Sequence, residues 1–140
     1  MRTEKRLDPL SPQERSERMS RVRSRNTRPE LIVRRITWQM GFRYRLHSRK
    51  LPGQPDLVFP RRRKVIFVHG CFWHQHKRCR HYKMPQSRLE FWLPKLKANV
   101  KRDLANQKAL RTRGWDYLVI WECQLSDEQK LSQKLSGFLS

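Results

Sequence analysis

Acidic residues are scarce in this chain: 12 Asp and Glu stand against 33 Lys and Arg, a formal charge of +21 in 140 residues. A compact state so one-sided in charge repels itself unless a polyanion joins it, and nucleic acid is the natural candidate. A membrane surface is the rival polyanion. Against it, no apolar run approaches the roughly 18 residues of a spanning helix, and neither a signal peptide nor a lipidation motif marks the N-terminus. Cysteine is scarce too. Three thiols, an odd number, do not build a disulfide framework, so ligand or buried roles in a reducing compartment are expected. Internal repeats are missing. The apolar fraction is only 36%, yet five Trp and six Phe supply large apolar surfaces, and the length suits a single domain with a charged skin.

Residues 1–10 lack periodicity and read as a flexible arm before one domain over 11–140. Ser11-Pro12-Gln13-Glu14 fits a capped helix start, followed by a polar, Arg-rich helix to about Ser24 whose arginines, Arg21 and nearby Arg25 among them, suit DNA phosphates. Thr27-Arg28-Pro29-Glu30 is a second capping box, and Ile32, Val33, Ile36 and Met40 recur at helical spacing until Gly41, which predicts a core-facing helix. A short strand is expected at Tyr44 to His47. The turn Leu51-Pro52-Gly53-Gln54-Pro55 delivers Asp56 to strand Leu57 to Phe59, and Val65 to Val68 has the continuous apolar character of a strand buried on both faces. Residues 70–88 are too rich in His, Cys, Arg and Pro for regular structure. A long helix is expected from about Phe91 to Arg113, with Pro94 in its first turn and Leu93, Leu96, Val100, Leu104 and Leu110 on one side. A buried strand at Tyr117 to Trp121 and a helix capped near Ser126 complete an α/β order with a small mixed central sheet.

Two clusters carry chemistry. Cys71, His76 and Cys79 lie close together and Cys123 follows a strand immediately, so one tetrahedral site could staple the loop. Sulfur with imidazole suits Zn²⁺, and His74 or His81 could replace His76. The bland alternative is a buried Cys123 thiol and surface histidines. Separately, Asp56 at the edge of one strand and His69 at the end of the next would share one sheet end. There the carboxylate could hold Mg²⁺ with a backbone carbonyl, and His69 and His74 could move protons. Asp56 is equally at home as a turn residue, and Glu30 as a helix-cap partner. Phe72-Trp73, with Trp92, could wedge between bases, or pack in the core.

Taken together, Leu51-Pro52-Gly53-Gln54-Pro55-Asp56, Phe67-Val68-His69-Gly70-Cys71-Phe72-Trp73-His74, Glu90-Phe91-Trp92, Asn99-Val100-Lys101-Arg102-Asp103 and Trp121-Glu122-Cys123 strongly resemble the very-short-patch-repair (Vsr) mismatch endonucleases. The resemblance implies a restriction-endonuclease-like fold, a structural zinc, and Mg²⁺-dependent nicking of duplex DNA on the 5′ side of the T in a T:G mismatch. It implies Asp56 as the metal carboxylate with the Val68 backbone carbonyl, His69 and His74 as catalytic histidines, and Glu30 as an acid near them. Asp103 falls near those histidines, where it would orient an imidazole. Zinc would be held by Cys71, His76, Cys79 and Cys123. DNA would be wedged by Phe72, Trp73 and Trp92 and contacted by Arg21, Arg25, Asn99 and Arg102. Val68 stands where some members carry Thr, and His76 and Cys79 are one residue further apart than in the His-x-Cys form. The expected setting is a monomer in the bacterial cytoplasm, near the nucleoid, with DNA repair proteins as possible partners. Two rivals stay open: a related nicking or homing endonuclease with another target, and a zinc-stabilised nucleic-acid-binding protein without chemistry.

Overall fold

A computed structural model describes residues 27–76, 79 and 88–140. The expected arm, the Arg-rich helix with Arg21 and Arg25, and His81 lie outside the described residues. Helix α1 spans Arg28–Gln39, opened by Thr27, whose Oγ1 accepts the Glu30 N–H at 3.3 Å, with Pro29 in the first turn. Only half of the expected capping box forms, because the Glu30 carboxylate turns inward instead of returning to the cap. Gly41, at φ +92°, ends the helix in the left-handed backbone that glycine adopts without steric cost.

Four strands follow: β1 (Arg45–Leu46), β2 (Leu57–Phe59), β3 (Lys64–His69) and β4 (Asp116–Trp121). They lie in the order β1-β2-β3-β4, antiparallel except for the parallel pair β3 and β4. The expected first strand shrinks at both ends. Tyr44 packs edge-on against Trp38 and Phe59 instead, and His47 has left the strand with φ +48°.

The parallel pair needs a long crossover, which contains helix α2 (Leu89–Thr112). A 3₁₀ turn, Glu122–Ser126, and helix α3, Glu128–Leu139, close the chain. The α3 cap is Asp127, whose carboxylate accepts the Lys130 N–H at 3.1 Å. Ser126 instead ends the 3₁₀ turn, with its hydroxyl on the Cys123 carbonyl.

Alternation along β2 and β3 divides the core between two faces. Leu57, Phe59 and Ile66 join Val33 and Ile36 of α1 and Leu131, Leu135 and Leu139 of α3 on one side. Val58, Val65 and Phe67 meet Leu110 of α2 on the other. Helices flanking both faces explain why these strands read as unbroken apolar runs.

Helix α2 departs from expectation twice. It starts at Leu89, so Pro94 is its sixth residue rather than a first-turn one, and the proline ring removes one intrahelical N–H donor. Leu104, expected on the apolar side, is 62% exposed. At 3.6 residues per turn it is rotated about 80° from Leu96 and about 120° from Leu110, whereas Asp103 falls between those two directions. The inward stripe of α2 thus runs through a carboxylate. Truncating the best-buried helix contact should test the core: Leu135→Ala, at a fully buried position of α3, is expected to cost about 2–5 kcal/mol in denaturant unfolding. A loss below 1 kcal/mol would contradict this packing.

Candidate active site

Strand ends bring the polar residues together. Asp56 immediately precedes β2 and His69 ends β3, and the antiparallel register, Leu57 opposite Ile66, sets Asp56 beside the last residues of β3. Its backbone N–H donates to the Ile66 carbonyl at 3.1 Å. Its carboxylate Oδ2 accepts the Val68 N–H at 2.6 Å. Burial foremost raises the Asp56 carboxyl to about 6, against the pull of that N–H and of His47, His74 and Arg34.

His47, which follows β1, donates its backbone N–H to the Asp56 carbonyl at 3.3 Å. Its Nε2 lies 2.7 Å from Oε2 of Glu30, and Arg34, one turn along α1, donates to the same oxygen. Glu30 is 1% exposed. Glu30, His47 and Asp56 form one group with ligand atoms within 4.8 Å of one another. His47 has no counterpart among the residues expected from sequence. Its partner Glu30 is 17 residues away, and a single His beside a short strand carries no spacing signal.

The histidine half lies alongside. His69 and His74 stack face to face, 3.7 Å between centroids and 5° between planes. Nδ1 of His74 is 2.5 Å from Oδ2 of Asp103 on α2. A carboxylate at Nδ1 takes its hydrogen and leaves Nε2 as the acceptor. His69 is buried, and burial, reinforced by His74 and opposed by Asp103, lowers its pKa to about 3. Its Nδ1 is buried without a hydrogen-bond partner.

The sulfur cluster sits one loop further. Nδ1 of His76 lies 3.7 Å from Sγ of Cys71 and 3.4 Å from Sγ of Cys123, and Cys79 completes a group within 4.8 Å. His74, the first alternative ligand, belongs to the other cluster. Burial pushes the Cys71 thiol up to about 12, with neighbouring Cys79 and Cys123 adding to the effect, and Cys123 is raised in the same way. Three sulfurs and one imidazole nitrogen within reach of a single ion are the donor set of a tetrahedral structural site, so these residues fit Zn²⁺.

Phe72, Trp73 and Trp92 meet at 5.2–5.8 Å between centroids, half-buried rather than in the core. The side-chain amide of Asn99 donates to the Trp73 carbonyl at 2.8 Å, and its Oδ1 accepts from exposed Arg102 at 3.2 Å. Asn99 therefore holds the aromatic loop against α2. Trp121 also joins the site unannounced by sequence. It stacks on His76 at 4.1 Å and meets His69 edge-on at 5.2 Å.

Fold and site define a strongly basic α/β protein with a carboxylate and imidazole centre at one sheet end and a candidate Cys/His metal cluster beside it. The model of the DNA mismatch endonuclease Vsr family matches residues 7–81, and the chain belongs to that family. It is 51% identical over 132 residues to the type II nicking enzyme V.XorIIP of Xanthomonas oryzae, covering 94% of this chain and 96% of the relative. It is 40% identical over 120 residues to the DNA mismatch endonuclease Vsr of Escherichia coli, covering 86% and 76%. To the type II nicking enzyme V.NmeAIP of Neisseria meningitidis it is 36% identical over 129 residues, covering 92% and 91%. Membership supports nuclease activity on DNA.

Buried Asp56 has a stability consequence. Between its ordinary 3.8 and about 6, the folded chain keeps a proton that the unfolded chain has released, so its contribution is full below pH 3.8 and lost as pH rises through 6. In zinc-loaded protein without other divalent cations at pH 8, Asp56→Asn should therefore melt at a higher temperature than the parent, with the difference shrinking toward pH 4. Equal melting temperatures at pH 8 would contradict the cost of burial.

Proposed function

We propose that this protein nicks one strand of duplex DNA on the 5′ side of the T in a T:G mismatch, with Mg²⁺ at Asp56. The observation that carries the reading is the Asp56 carboxylate, braced by the Val68 N–H, next to a stacked His69–His74 pair oriented by Asp103. Asp56 has one hydrogen-bonded oxygen, which leaves the other for a cation. In a strand the N–H and C=O of one residue point to the same side, so the Val68 carbonyl faces the same edge. Asp56 and the Val68 carbonyl would hold a hard divalent cation there, which would supply Lewis-acid polarisation of the phosphate.

The remaining steps belong to the chain. Asp103 holds the His74 tautomer with Nε2 available, so His74 takes the proton of the attacking water. The P–O bond to the leaving oxygen breaks as the water attacks, and His69, stacked on His74, hydrogen-bonds that oxygen. Phe72, Trp73 and Trp92 present an aromatic edge that enters the stack beside the mispair, where a weakened pair lowers the cost of distortion. Arg102, with Arg21 and Arg25 from the preceding segment, neutralises phosphates. Cys71, His76, Cys79 and Cys123 would hold a zinc ion that pins the loop bearing these groups. The mixed sheet with helices on both faces agrees with a restriction-endonuclease-like fold, and we read the protein as a monomer. Several relatives are type II nicking enzymes, which favours one other reading: the same chemistry directed to a different target.

Labelled duplexes carrying T:G or T:A, incubated with Mg²⁺ or EDTA, separate these readings. The expected result is one nick, on the T strand of T:G only, absent in EDTA and abolished by Asp56→Ala with DNA binding retained. Nicking that ignores the mismatch selects the different target, and binding without any nick reduces the protein to a nucleic-acid binder. For the sulfur cluster, protein purified without added zinc should hold one zinc per chain, and Cys123→Ala should hold less and unfold at lower temperature. Substoichiometric zinc in the parent would refute the structural-zinc reading.

A further inference from the structure

A run of touching side chains joins the sulfur cluster to helix α2. The ring of His76 lies flat on Trp121, 4.1 Å between centroids and 7° between planes. Trp121 in turn meets His69 in a T-shaped contact at 5.2 Å and 77°, and His74 at 6.4 Å and 73°. His69 and His74 are stacked on each other, and Asp103 closes the run at Nδ1 of His74. Trp121 is therefore in ring contact with one residue of the sulfur cluster and with both active-site histidines.

The backbone of Trp121 is held firmly. It lies opposite His69 in the parallel register of β3 and β4, and its N–H donates to Oε1 of Gln124 at 2.9 Å. The indole plane is set by what it touches. Nδ1 of His76 faces Sγ of Cys71 and of Cys123 at 3.7 and 3.4 Å, so an ion held by those donors would fix the His76 plane and, through the parallel stack, the indole. On the other side, Nδ1 of His69 is buried without a hydrogen-bond partner. No hydrogen bond at that atom sets the His69 plane. Ring contacts do so instead, from Phe67, His74 and Trp121.

We propose that Trp121 is a positioning residue of the nicking reaction: seated on His76, it holds the planes of His69 and His74, so that the sulfur cluster acts on the chemistry through ring contact as well as by pinning its loop. The inference rests on the reading of His69 and His74 as the pair that handles protons and of the sulfur cluster as a zinc site. Trp121 moves no proton in this role. It keeps two imidazoles in the geometry that proton transfer requires, where small misplacements are expensive.

The test compares zinc-loaded full-length parent with Trp121→Leu, Trp121→Phe and His76→Cys. The measurements are single-turnover nicking of a T:G duplex with Mg²⁺, duplex affinity, zinc content, and solvent exchange of the downfield proton that His74 Nδ1 shares with Asp103. Trp121→Leu should nick about a hundredfold more slowly, with affinity and zinc content unchanged and the downfield proton exchanging faster. Trp121→Phe, which keeps a flat face, should recover part of the rate. His76→Cys keeps a fourth soft donor but removes the ring under Trp121, and should nick slowly with zinc still bound. Parental rate and proton exchange in Trp121→Leu overturn the proposal. So does loss of zinc, affinity and rate together, because the ring would then merely hold the fold. Should Trp121→Leu fail to fold, His76→Cys decides, and parental nicking with zinc bound overturns the proposal. The parent separates the two levels. If it neither nicks T:G nor holds zinc, the functional reading fails; if it does both and Trp121→Leu nicks equally well, only the Trp121 inference fails.

Discussion

The Val68 N–H on the Asp56 carboxylate, at 2.6 Å, is the contact on which the rest of the site depends. It occupies one oxygen of a carboxyl that burial holds well above its ordinary range, and it ties the entry to β2 to the exit of β3. A carboxylate thus stands in the cleft beside Glu30, His47 and the His69–His74 stack, at an energetic cost that a bound cation or a proton would relieve further.

The parallel pairing of β3 and β4 has a comparable consequence. It aligns His69 with Trp121, so the ring of Trp121 becomes a wall shared by two centres: His76 of the sulfur cluster lies flat on one face and His69 meets the ring in a T-shaped contact. Cys123 follows two residues later. A loop with little core of its own is thereby framed by a strand end, a tryptophan and a group of thiols. The stack of His69 on His74, together with the Asn99 contact to Trp73, fixes the aromatic group relative to the carboxylates. Proximity of this kind converts scattered side chains into one arrangement that a bound duplex would meet at once.

Much of this was legible in the sequence. Helix starts at Thr27, the stop at Gly41, the apolar strands 57–59 and 65–68 and the strand before Cys123 follow from local rules of capping and periodicity. The clustering of Cys71, His76, Cys79 and Cys123 followed from their order in the sequence, whereas Asp56 groups with Glu30 and His47, and His69 and His74 with Asp103. The errors lie where periodicity misleads. Leu104 was placed inward because leucines define a stripe, whereas the true inward stripe of α2 includes Asp103, an acid drawn in by His74. Pro94 was placed in the first turn, yet α2 begins earlier at Leu89.

What sequence alone determined is therefore the class of each segment and the donors available, because propensity, spacing and residue chemistry are local. Tertiary structure decided which donors share a site. Glu30 left its cap for His47 and Arg34, His74 chose Asp103 over the thiols, and His47 entered the cleft from the end of a two-residue strand. Such pairings depend on which strand ends lie side by side, and a burial that raises Asp56 and lowers His69 exists only once those strands have closed over them.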